Sequence, residues 1–248
     1  MSKVAIITGA GRGIGAETAR LAAAAGYDVC ISYVSDSESA AHVVRDCEAA
    51  GRKAIAVKGD VANVADVSNL FAQCDQHLGP ITLLVNNAGI VGEATTVRDL
   101  KDDILARTFE VNVYGTVYCA REAISRMATS NGGTGGVIIN VSSVAARLGS
   151  PGEYVHYAAS KAAVETFTIG LSKEVGRDGI RVNALQAGTT DTDLHQRSGN
   201  PDRPAMVAST APLGRVATPR DIAEGVLWLA SPEAGYTTGA ILPIAGGL

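Results

Sequence analysis

A tyrosine followed four residues later by a lysine, Tyr157 and Lys161, is the pair in this sequence with the clearest capacity for chemistry. On a helix an i,i+4 spacing stacks two side chains on one face and brings an ammonium near a phenol. The positive charge favours the phenolate, lowering an ordinary pKa of about 10 toward values at which a phenol exchanges a proton during carbonyl reduction. Of the seven tyrosines only Tyr157 has a lysine at this spacing. A lone Tyr-x-x-x-Lys is commonly an ordinary surface pair, so a second polar group matters. Ser143 lies fourteen residues upstream, at the end of Gly136-Val-Ile-Ile-Asn-Val-Ser-Ser143, an apolar β-branched run that reads as a buried strand. Ser142 is the rival hydroxyl: neighbours on a strand face opposite ways, so only one of the two faces the site.

These groups need a strand end beside a helix, and the chain supplies that alternation from its start. Residues 3–60 read as strand Lys3–Thr8, helix Ala16–Ala25 stopped by Gly26, strand Asp28–Tyr33, helix Ser37–Ala50 and strand Ala54–Asp60. Such alternation builds a parallel sheet with helices on both faces. A helix Val64–Leu78 ends at Gly79-Pro80, and strand Thr82–Val85 runs into Asn86-Asn-Ala-Gly89. A long helical segment, Leu100–Met127, carries Asn112 in an apolar stripe, where an amide needs partners. After the glycine-rich connection Thr129–Gly136 and the strand ending at Ser143 come a helix Val155–Val175 and a sixth strand, Arg181–Leu185. From Gly188 to Pro212 the chain is polar and irregular, which after a strand's carboxyl end is either a substrate lid or a tolerated insertion, the location favouring the lid. A helix Pro219–Ala230 and a strand Ala240–Ile244 close a single domain over residues 1–248, with no linker, repeat or low-complexity block dividing it.

The first turn, Thr8-Gly-Ala-Gly-Arg-Gly-Ile-Gly15, stands between a strand and a helix. There, glycines let the backbone approach a pyrophosphate, which the free N–H groups of the helix N-terminus hold. The second strand ends in Ser32-Tyr33-Val34-Ser35, where dinucleotide-binding folds usually place a carboxylate for the ribose 2′-hydroxyl of NAD. Arg12 could instead make charge-assisted bonds to a 2′-phosphate, or stand as a solvated loop arginine. Asp36, close behind, would repel a phosphate. The balance favours NADP(H) over NAD(H). Asn86-Asn-Ala-Gly89 suits a cofactor floor or a plain turn equally.

A chain of 248 residues with 46% hydrophobic side chains can bury the core of one large α/β domain. Its net charge of −4 provides no basic field, so no nucleic-acid partner is expected. Cys30, Cys47, Cys74 and Cys119 are far apart and the four histidines are scattered, so no metal site is expected and reduced thiols in a cytoplasmic setting fit best. No apolar stretch is long enough to span a bilayer and no signal peptide precedes Lys3–Thr8, so no membrane association is expected.

Thr8–Gly15, Asn86–Gly89, Asn112, Ser143 and Tyr-Ala-Ala-Ser-Lys at Tyr157–Lys161 occur in the order, and close to the spacing, of the short-chain dehydrogenase/reductase family, which essentially the whole chain resembles. The resemblance implies a doubly wound Rossmann domain with a central seven-stranded parallel sheet, hydride transfer at a nicotinamide, and a homotetramer. It implies Tyr157 as general acid in reduction and base in oxidation, and Ser143 as the group that binds the substrate oxygen. Lys161 would hold the nicotinamide ribose and depress the Tyr157 pKa, and Asn112 would anchor a proton-relaying water. Cofactor contacts would come from Gly9, Gly11, Arg12, Gly13, Ile14, Gly15 and Tyr33, from Asp60 and Val61 beside the adenine, and from Asn87, Ala88 and Gly89 near its ribose. Tyr157, Lys161, Gly188, Thr190 and Thr192 would complete them at the nicotinamide end. The chain departs from the family pattern in the fourteen-residue spacing from Ser143 to Tyr157, where thirteen is commoner, in Ala187-Gly188 for Pro-Gly, in Thr190 for isoleucine, and in Ala245 for an aspartate.

The resulting expectation is an NADP(H)-dependent carbonyl reductase or alcohol dehydrogenase acting on a small ketone, diketone, sugar-like or oxoacyl substrate. The alternatives are an NAD(H)-preferring dehydrogenase and a non-catalytic dinucleotide sensor. Substrate selectivity should arise from Ala145–Tyr154, Val91–Thr96 and Gly188–Met206, with Tyr154 and His195 as substrate contacts or rim residues.

Overall fold

Alternation within the first strand already assigns the two faces of the sheet. In a computed structural model that describes residues 3–192 and 203–248, β1 (Lys3–Ile7) points Val4 and Ile6 to one side and Ala5 and Ile7 to the other, all four fully buried. Six more strands join it: β2 (Tyr27–Tyr33), β3 (Ala54–Lys58), β4 (Leu83–Asn86), β5 (Gly136–Ser143), β6 (Ile180–Ala187) and β7 (Ile241–Ile244). All pair in parallel, in the order β3-β2-β1-β4-β5-β6-β7. The strand order reverses between β1 and β4, and in such sheets the crevice outside the carboxyl ends at the reversal is the binding position.

Helices α1 (Gly13–Ala24) and α2 (Ser37–Ala49) cover one face of the sheet together with Pro219–Ala230. Helices α3 (Val64–His77), Gly115–Met127 and Val155–Val175 cover the other. Local chemistry sets several of the boundaries. Asp36 accepts from Ser39 N at 3.0 Å to cap α2, and Asn63 accepts from Ala65 N at 2.9 Å to cap α3. Thr218 and Asp221 form a reciprocal capping box ahead of Pro219. Each such cap contributes about 1 kcal/mol. Arg181 donates to the Leu229 and Ser231 carbonyls at 2.9 and 3.2 Å, satisfying the far end of the same helix.

The expected long helical segment Leu100–Met127 runs without interruption from Asp102 as α4 (Asp102–Phe109), a π-helical turn at Glu110–Tyr114, and α5 (Gly115–Met127). The wider turn is centred on Asn112, whose carbonyl accepts the Thr116 hydroxyl at 2.8 Å. β6 runs past the expected Arg181–Leu185 because it pairs with β5 along its whole length, from Gly136↔Ile180 to Ser143↔Ala187. Among the described residues, α5 is followed by the short α6 (Ala145–Leu148), α7 (Val155–Val175) carrying Tyr157 and Lys161, and α8 (Arg203–Thr210), which occupies part of the expected loop 188–212. Pro219–Ala230 is α9. Residues 193–202, among them His195, lie outside the described residues. No helix among the described residues is long and apolar enough to cross a membrane.

Candidate active site

A cleft of about 750 Å³ opens at the reversal point and draws lining residues from every strand between β2 and β6 or from the segments that follow them. At one end lies the glycine turn. Gly9 has φ +62°, and a Cβ there would stand 2.9 Å from Ala88 Cα, so only glycine lets the turn approach the segment after β4. A Cβ on Gly15 would meet Asn87 Nδ2 at 2.5 Å and Ala10 Cα at 2.8 Å. Gly15 therefore serves packing and does not line the cleft, whereas Gly9, Gly11, Arg12, Gly13 and Ile14 do. Helix α1 starts at Gly13, earlier than the expected Ala16, with no capping side chain and no acidic residue in its first turn. Such an end is a ready anion site.

Side chains of three segments tie this turn together. Ser32 Oγ accepts from Gly9 N at 3.1 Å, and Thr8 Oγ1 accepts from Asn87 N and Ala88 N at 3.1 and 3.0 Å. Asn87 Nδ2 donates to the Thr8 and Gly9 carbonyls at 2.9 and 3.1 Å, so this amide braces the turn while Asn87, Ala88 and Gly89 form part of the lining. Tyr33, Asp60 and Val61 line the same end. Asp60 is paired with the Arg107 guanidinium, and Arg107 also faces the cleft. Arg107 escaped sequence reasoning because nothing in its neighbourhood marks it; it reaches Asp60 only through the placement of α4.

At the other end Ser143, Tyr157 and Lys161 share the lining. Ser142 Oγ turns to Glu165 Oε1 at 2.6 Å, while Ser143 Oγ accepts from Ala145 N at 3.2 Å. Lys161 is 5% exposed and its Nζ donates to the Val141 carbonyl at 2.8 Å, 5.8 Å from the centre of the Tyr157 ring. Burial pulls this ammonium down from 10.5 to about 8, and the Glu165 carboxylate opposes the shift. Asn112 stands behind the lining. It exchanges hydrogen bonds with Ile90 N and O, both at 2.9 Å, and donates to Ser160 Oγ at 2.9 Å. Ser160 in turn donates to the Tyr157 carbonyl at 2.7 Å, so Asn112 braces α7 as well as the segment after β4.

Gly188, Thr190 and Thr192 line the cleft after β6, where Thr190 bridges to Ala217. Val91, Leu148 and the buried Tyr154 add to the wall near Tyr157. His156 holds the Val91 carbonyl at 3.0 Å, and burial lowers its pKa. A hydroxyl, a phenol and a buried ammonium on one wall, facing a glycine turn on an uncapped helix, can polarise a carbonyl and move a proton beside a bound dinucleotide.

Residues 9–248 match the family model described as "Enoyl-(Acyl carrier protein) reductase". The chain is 45% identical to the "Uncharacterized oxidoreductase YgfF" of Escherichia coli (strain K12), over 98% of this chain and 99% of that one. It is 36% identical to the "L-rhamnose 1-dehydrogenase (NAD(P)(+))" of Sphingomonas sp. (strain SKA58), over 99% and 96% of the two chains. A blue fluorescent protein from a metagenomic library, solved in complex with NADPH, superposes with a TM-score of 0.90 at 37% identity, covering 99% of this chain and 97% of that one.

Proposed function

The chain belongs to the short-chain dehydrogenase/reductase family and is an NAD(P)-dependent oxidoreductase, and on that premise we propose that it interconverts a carbonyl and a secondary alcohol with Tyr157 as the proton-transfer group and NADP(H) as the preferred cofactor. The observation that carries the reading is Lys161, buried and 5.8 Å from the Tyr157 ring on the wall that also presents Ser143. A bound nicotinamide supplies or accepts the hydride. The Ser143 hydroxyl donates to the substrate oxygen, and Tyr157 Oη gives that oxygen its proton in reduction and takes it back in oxidation. Lys161 favours the phenolate and holds the nicotinamide ribose, while Asn112 keeps α7 in register and anchors the relaying water.

The residues present fit a dinucleotide. Gly9, Gly11, Gly13 and Ile14 would hold its pyrophosphate at the start of α1; Asp60 and Val61 would border the adenine, and Asn87 to Gly89 its ribose. Thr190 and Thr192 would hold the carboxamide. Preference for NADP(H) rests on Arg12 and runs against the carboxylate of Asp36, which lines the same cleft and caps α2 through Ser39 N and Oγ at 3.0 and 2.7 Å. Arg12 stands between the cleft and an adjoining recess of about 420 Å³ that also contains His42 and Arg45. The related structure in complex with NADPH points the same way. Substrates are small carbonyl compounds or alcohols that meet Val91, Leu148 and Tyr154. The chain works as a cytoplasmic homotetramer, a reading supported by four buried free cysteines and by exposed Tyr114, Val155 and Ile169 on and beside α5 and α7.

Tyr157→Phe tests the proposal. It retains NADPH binding, followed by nicotinamide fluorescence, while ketone-dependent NADPH oxidation falls by about 10²-fold or more. A variant that reduces ketones at the wild-type rate rejects the role, and a wild-type protein that binds NADPH yet turns over no member of a ketone panel is a sensor instead.

A further inference from the structure

Glu165 lies one helical turn beyond Lys161 and two beyond Tyr157, so α7 presents the three along one stripe. Its Oε1 accepts the Ser142 hydroxyl at 2.6 Å and the Gln186 amide at 2.9 Å. Ser142 and Gln186 are register partners at the ends of β5 and β6, so one carboxylate oxygen clamps two strand ends to the helix. The residue before Ser142 provides the carbonyl on which Lys161 Nζ rests, and the residue after it is Ser143. Both partners donate into the same oxygen, an arrangement that suits an ionised carboxylate. The groups facing the Lys161 ammonium are Tyr157 on its own helix, Gly89 after β4, and the Val141 carbonyl of β5. Among the described residues Glu165 is the negative charge that acts on it.

From this geometry, and resting on the role given to Lys161 above, we infer that Glu165 is a positioning residue: it clamps α7 to the strand ends that carry Ser143 and supplies the counter-charge for the buried ammonium. A carboxylate here stabilises the charged lysine, which both orients the ribose and activates Tyr157, whereas a neutral isostere preserves the clamp and withdraws the charge. The two functions are therefore separable.

The test follows the Lys161 titration by ¹³Cε NMR in the cofactor-free protein, alongside the pH profile of kcat/KM. Glu165→Gln keeps an acceptor for both donors, and its Lys161 titration and the alkaline limb of its activity move to lower pH by about 0.5–1 unit, so that activity above the midpoint falls about 3- to 10-fold. Glu165→Asp restores the charge and returns the titration most of the way to wild type. A Glu165→Gln midpoint within about 0.2 unit of wild type overturns the inference, as does a Glu165→Asp midpoint equal to that of Glu165→Gln. Should Glu165→Gln not fold, Gln186→Ala leaves the carboxylate in place and titrates as wild type; a shift of about 0.5 unit or more in that variant overturns the counter-charge role. The NMR titration needs no turnover, so its failure rejects the counter-charge role of Glu165 alone, while a wild-type protein that titrates as expected but oxidises no NADPH rejects the catalytic reading.

Discussion

Replacing Lys161 by methionine is expected to stabilise the protein at neutral pH while abolishing turnover. A lysine whose pKa falls from 10.5 to about 8 on folding holds its proton less tightly in the native state. At about 1.4 kcal/mol per pH unit, the charged side chain costs the fold about 3 kcal/mol. Methionine fills a similar volume without charge but forfeits the bond from Nζ to the Val141 carbonyl, worth about 1 kcal/mol. The net gain is about 2 kcal/mol, or about 4–8 °C in Tm for a chain of this size. The sign of the pH dependence is diagnostic because the folded pKa lies below the unfolded one. Under about pH 8 the lysine is protonated in both states and the penalty is complete. Between about 8 and 10.5 the folded state releases its proton first, so wild-type stability rises relative to the variant and the advantage of methionine shrinks away. Urea denaturation of both proteins at pH 7 and pH 10, followed by circular dichroism, measures this directly. A Lys161→Met protein that is less stable than wild type at pH 7, or an advantage of equal size at both pH values, refutes the reasoning.

Arg12→Ala is expected to lower kcat/KM with NADPH about tenfold while changing it with NADH by about twofold or less, because only the former carries the 2′-phosphate. Equal losses with both cofactors, or a wild-type preference for NADH, contradict the assignment. Light scattering of the purified protein should give the mass of four chains of 25.4 kDa each, and a monomer at working concentration rejects the homotetramer.

Much of the fold was legible because it rests on short-range pattern. Val4 and Ile6 against Ala5 and Ile7 report a strand buried on both faces, and the glycine run from Gly9 to Gly15 reports a turn on which a helix begins. The Tyr157–Lys161 spacing places two side chains on one helical face in any fold that keeps the helix. The π-helical turn at Glu110–Tyr114 lies beyond local pattern, for a physical reason. Propensity alone carries Leu100–Met127 as one helix, yet Asn112 exchanges bonds with Ile90 and reaches Ser160, contacts that hold a wider turn at that point.

What the sequence determined by itself, then, is the alternation of strands and helices, the glycine turn and the pairing of phenol with ammonium, since each depends on residues within a turn or two of one another. Only the tertiary structure decided what engages each of the two serines, both of which contribute to the cleft lining. Strand alternation says that Ser142 and Ser143 point opposite ways, and it is Glu165 from α7, itself held by the Gln186 amide from β6, that takes the Ser142 hydroxyl. It likewise decided that Arg107 meets Asp60 across 47 positions of chain, and that the Lys161 ammonium is buried deeply enough for its pKa to fall to about 8. Desolvation and long-range pairing depend on what packs around a group, and that is set by segments far away in the chain.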